Sequence, residues 1–115
     1  MNNKIGIRHE DKYLMERRVP IIPLHISRLT SEQGLEFLVE ESPKRIFTHA
    51  EFLAAGAKVV SDITAAPVIL GVKEMPMEIF EEGKTFMFFS HVIKGQPYNM
   101  PMLKKMMEKK VNLID

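Results

Sequence analysis

The sequence predicts an α/β domain in which helices cover a mainly parallel sheet. Three observations carry that expectation. Strand-like and helix-like stretches alternate, with turn residues about every ten to fifteen positions. Two runs, Pro67 to Val72 and Thr85 to Phe89, are almost wholly apolar. Such runs mark strands buried on both faces, as parallel strands are. The 115 residues suit one domain and leave no room for two of ordinary size.

Taken in order, Ile5-Gly6-Ile7 is a short strand. Pro23 to about Gln33 reads as a helix through Leu24, Ile26 and Leu29, and Gly34 can end it in a left-handed cap. Leu35, Phe37 and Val39 alternate with Glu36, Leu38 and Glu40, a strand period that Ser42-Pro43 breaks. Thr48 and Glu51 have capping-box spacing before a helix over Ala50 to Ala55, which Gly56 stops. Lys58-Val59-Val60 is the next strand. The buried run to Val72 follows, then a short helix over Met77 to Glu82 closed by Gly83, then the run to Phe89. Asn99 can cap a helix with Pro101 in its first turn, running to about Lys109. Leu103, Met106 and Met107 sit at helical spacing and read as its core face. Val111 to Ile114 is the last strand.

Composition excludes several functions. Net charge is +1, so no strong field draws nucleic acid or an anionic membrane. The chain has no cysteine, hence no disulfide, zinc–thiolate site or thiol nucleophile. No apolar run approaches the roughly 20 residues that span a bilayer, and the start lacks the apolar stretch of a signal peptide. A cytoplasmic location is expected. None of the six glycines forms a G-x-G-x-x-G loop, so no nucleotide cofactor site is expected within this chain. No histidine or carboxylate spacing makes a metal site, and His9, His25 and His49 read as surface residues.

Open parallel sheets bind ligands at the carboxyl ends of their strands. Lys73-Glu74 follow the first buried run, and Ser90-His91, then Lys94, follow the second. The loop after the first strand carries Glu16-Arg17-Arg18. Arginine grips carboxylates through two parallel hydrogen bonds. A desolvated lysine and a histidine can both move protons. The set suits a small anionic substrate at which a proton moves. Position alone leaves blander readings open. Lys73 could be a solvated lysine, His91 a structural histidine, and Arg17 and Arg18 an ordinary exposed pair.

At these residues the chain resembles a known family. Ile5-Gly6-Ile7-Arg8, Glu16-Arg17-Arg18-Val19-Pro20, Arg45-Ile46-Phe47, Ala55-Gly56-Ala57, Gly71-Val72-Lys73-Glu74-Met75-Pro76 and Phe88-Phe89-Ser90-His91 occur in the family's order. The resemblance is to the amino-terminal domain of the lysine-forming saccharopine dehydrogenases, or lysine–oxoglutarate reductases. More distantly it extends to alanine dehydrogenase and the transhydrogenase amino-terminal domain, and it covers essentially the whole chain. It implies a three-layer Rossmann-like fold. It implies that Lys73 and His91 are acid–base groups and that Arg18 engages a substrate carboxylate, with Glu74 and Lys94 near the pocket. The family joins lysine and 2-oxoglutarate through an imine and reduces it with NAD(P)H to saccharopine, or runs in reverse.

Family enzymes continue past the position of Asp115 into a dinucleotide-binding domain. By the resemblance, residues 1–115 are a substrate-side domain, incomplete relative to the family domain, with half a cleft and no cofactor of their own. The chain is then expected to be inactive alone and to need a nucleotide-binding domain in cis or in trans. Apolar surface left open would favour a homodimer. Two alternatives stand beside this reading: a free-standing module that binds a dicarboxylate or amino acid for regulation, and one subunit of a split dehydrogenase.

Overall fold

In the computed structural model, which describes residues 2–90 and 100–114, six strands form one sheet. They are β1 (Lys4–Ile7), β2 (Glu36–Glu40), β3 (Lys58–Val60), β4 (Val68–Leu70), β5 (Thr85–Met87) and β6 (Asn112–Ile114). Every pairing is parallel and the spatial order is β3-β2-β1-β4-β5-β6. This is the order of a doubly wound sheet, and it reverses direction between β1 and β4. The predicted parallel α/β class is therefore the observed one.

Alternation along the strands divides the core in two. Ile7, Phe37 and Val39 pack with Ile26 of α1 (Pro23–Gln33) and Phe52 of α2 (His49–Ala54). Leu38, Ile69, Phe86 and Phe88 point to the opposite face, against Phe80 and against Met102 and Met106 of α3 (Met100–Glu108). The sheet is thus the middle of three layers. Leu38, which the period-two reading grouped with the polar face of β2, is buried in the second core because helices cover both faces here.

Local sequence sets the helix ends as expected. Gly34 takes φ 68° after α1. Thr48 and Glu51 form both halves of the capping box at α2: the Thr48 hydroxyl accepts from the Glu51 N–H (3.2 Å), and Glu51 Oε1 accepts from the Thr48 N–H (3.0 Å). Gly6 is required by a close approach. A Cβ there would lie 2.9 Å from Ile69 Cδ1 and 3.3 Å from Ala66, where the segment returning from β3 to β4 crosses β1.

Three expectations need correction. The helix over Met77 to Glu82 is a single 3-10 turn, Met77–Ile79. Phe80 leaves that turn in extended conformation and fills the second core, its ring 4.8 Å from that of Phe86. In α3 the core methionines are Met102 and Met106, while Met107 is 71% exposed. The strands after Leu70 and Met87 end early, yet the main chain stays paired: Gly71 N–H donates to Met87 and Phe89 N–H to Val72. The proposed Asn99 cap lies outside the described residues, as do His91 and Lys94.

Candidate functional site

The crevice between β1 and β4 opens at their carboxyl ends, and both loops that leave it are charged. Arg8 ends β1 and is nearly buried. Its guanidinium makes two parallel bonds to Asp11, at 2.9 and 2.6 Å, which hold the Asp11 carboxyl below its usual range. Arg45, also buried, donates to the carbonyls of Glu40 and Ile7 and so ties the ends of β2 and β1 together. These two arginines shape the rim.

Glu10 crosses the crevice. It is 5% exposed, and its two oxygens accept from the main-chain N–H groups of Val72 and Lys73, each at 2.9 Å. Burial pushes its carboxyl above the ordinary range, against the opposing pull of those two donors and of Arg8. Glu16 is the second buried carboxylate of this loop. Arg18 Nε and Nη2 reach it at 2.8 and 2.7 Å, and the Arg18 N–H adds a third bond at 3.1 Å. These bonds, helped by the charge of Lys73, hold Glu16 at about 2.

Lys73 enters from the end of β4. Its Nζ lies over the Tyr13 ring, 5.7 Å from the centroid, within reach of a cation–π contact. The loop presenting Tyr13 is pinned from behind: Lys44 Nζ donates to the Tyr13 carbonyl at 2.9 Å, and Ile46 N–H to that of Arg17 at 3.0 Å. Lys73, Arg18, Glu16 and Tyr13 therefore share one crevice. Arg18 keeps more than half of its side chain in solvent, so its charge remains accessible.

Glu74 turns elsewhere. It lines a groove of about 610 Å³ with Asp11, Lys12, Met77 and Glu78, on the side where α3 packs. His9 and His49, read from the sequence as surface residues, are half-buried, whereas His25 is exposed as expected. His9 Nδ1 lies 2.7 Å from Ser42 Oγ, and the Ser42 N–H meets His49 Nε2 at 3.1 Å. Their signal was their position at the ends of β1 and of the β2 connection. The same signal, charge just after a buried strand, could have found Glu10. Among the described residues no group of three or more His, Cys, Asp or Glu could hold a metal ion, and no helix is long and apolar enough to cross a membrane.

Residues 6–115 match the model of the alanine dehydrogenase/PNT N-terminal domain family. The mitochondrial alpha-aminoadipic semialdehyde synthase of Rattus norvegicus is 40% identical over 111 residues, which are 96% of this chain and 12% of that protein. The lysine-forming, NAD(+) saccharopine dehydrogenase of Yarrowia lipolytica is 37% identical over 98 residues, 81% of this chain and 26% of that protein. This chain thus spans only a small part of the curated relatives that it matches. An L-alanine dehydrogenase structure superposes with a TM-score of 0.79 at 21% identity, covering 96% of this chain and 31% of that one. The chain belongs to the alanine dehydrogenase/PNT N-terminal domain family and is related to the amino-terminal part of amino-acid oxidoreductases.

Proposed function

We propose that residues 1–115 form the substrate-side domain of an amino-acid oxidoreductase that converts lysine and 2-oxoglutarate to saccharopine, or the reverse. The observation that carries this reading is the shared crevice of Lys73 and Arg18 at the carboxyl ends of β1 and β4. Lys73 and His91 are the acid–base pair. Imine formation and breakdown each need several proton transfers, which is work for two groups of different basicity. Arg18 engages a substrate carboxylate. Glu74, from the neighbouring groove, and Lys94 are the further substrate-binding residues of this reading.

The nicotinamide cofactor, NAD or NADP, belongs to a second domain. The crevice itself suits a dinucleotide phosphate poorly, since Glu10 already occupies the two main-chain donors nearest its mouth. The second domain docks at the carboxyl rim of the sheet. Leu14 and Met15 are 86% and 80% exposed there, more apolar surface than a loop tip needs.

The test is turnover. The 115-residue chain, mixed with lysine, 2-oxoglutarate and reduced cofactor, is expected to oxidise none of it; turnover by the chain alone would sink the reading. With a nucleotide-binding domain supplied in trans, activity is expected, and Lys73→Met should lower kcat by about 10²-fold or more, the usual worth of an acid–base group. Titration calorimetry separates the alternative. Tight binding of 2-oxoglutarate by the lone chain, lost in Arg18→Ala, would favour a regulatory binding module.

A further inference from the structure

We propose that Glu10 is a positioning residue for Lys73, its carboxylate filling an anion seat built from the main-chain N–H groups of Val72 and Lys73. The inference rests on the reading of Lys73 given above and extends it by one residue.

Three observations carry it. Both oxygens of Glu10 are used, one on each successive N–H, at 2.9 Å. Two adjacent donors aimed at one carboxylate fix the orientation of the peptide between them, and so the direction in which the Lys73 side chain leaves the strand. Glu10 is also almost fully buried, at 5% exposure. A buried carboxylate is a costly way to join two loops, and an apolar contact would join them at lower cost. Finally, the turn is built to admit it. A Cβ on Gly71 would stand 3.3 Å from Glu10 Oε2, so a side chain at that position would crowd the seat.

The consequence is geometric. β1 and β4 are neighbours in space but more than sixty residues apart in sequence, and Glu10 spans that gap at the reversal point of the sheet. Tyr13 rides on the same loop, three residues on. One carboxylate therefore sets Lys73 against the Tyr13 ring that its ammonium faces.

The position of Lys73 can be read without activity. Reductive methylation with a carbon-13 label gives each lysine a methyl signal, and Lys73→Arg identifies the one from Lys73. That signal is expected to be displaced by the Tyr13 ring current in the unmodified sequence. Glu10→Gly should remove at least half of the displacement, and excess formate, small enough to enter the vacated seat, should restore it. Glu10→Gln puts an amide donor against one N–H and should give an intermediate loss; it serves as the probe if Glu10→Gly does not fold. A Lys73 signal unmoved in a folded Glu10 variant, or a moved signal that formate leaves unchanged in folded Glu10→Gly, would overturn the proposal. Failure of the catalytic reading is distinguishable. In that case Lys73→Met leaves turnover of the assembled enzyme intact, while the methyl signal still responds to Glu10.

Discussion

Glu16 and Glu10 lie on one loop and are tuned in opposite directions. Glu16 is held at about 2 by Arg18, below its ordinary 4.5. Sign follows from linkage: a lowered carboxyl stabilises the fold above the unfolded value, and the contribution is lost as pH falls from about 4.5 toward 2. Arg18 is mostly solvated, so the worth is about 1–2 kcal/mol rather than the full shift. Urea unfolding of Glu16→Gln is expected to show that loss at neutral pH and to converge on the parent at about pH 2. Glu10 behaves oppositely: burial raises its carboxyl, so its ionisation at neutral pH costs stability. Arg18 and Lys73 were legible in the sequence as charges after strands. That Glu10 and Glu16 would be buried was not, because burial of a carboxylate depends on donors from other elements, here Val72, Lys73 and Arg18.

At the scale of elements, local rules were most reliable where a side chain satisfies its own backbone. α2 has six residues, too short to persist on helix propensity, and its capping box settles where it begins. Thr48→Ala is expected to cost about 1 kcal/mol, measured as a fall in the urea midpoint with an unchanged slope. Rules failed where the core competes. The sequence from Met77 to Glu82 is acceptable as a helix, but Phe80 can reach Phe86 only by leaving it. Likewise Met107 fits the helical stripe of α3, yet the sheet lies on the side of Met102 and Met106.

At the scale of the whole molecule, one half of one sheet face is thinly covered among the described residues. α1 and α2 pack on β1 to β3, whereas on that side β5, the residues just past it and β6 present Met87, Phe89 and Ile114 at 42%, 60% and 47% exposure. Together with Pro20 and Gly71 they line a cavity of about 320 Å³. A contiguous apolar face of this kind favours association, most simply a two-fold dimer. Light scattering is expected to show a dimer at micromolar concentration, weakened in Phe89→Ser; a monomer throughout that range would count against it.

By itself the sequence determined the class of the fold and most element positions. Runs buried on both faces require a parallel sheet between helices, and glycines and caps are local punctuation. It also indicated Lys73, since charge placed just after a buried strand has to emerge at the rim, and Arg18, on the loop that follows the first strand. Only the tertiary structure decided what those residues meet. The strand order brings β1 beside β4, and that juxtaposition sets Glu10 on the Lys73 turn and Tyr13 beneath its ammonium. The physical reason is separation along the chain. A cap closes within four residues and can be read there, whereas a carboxylate and the amides it binds more than sixty residues away are joined only by the sheet between them.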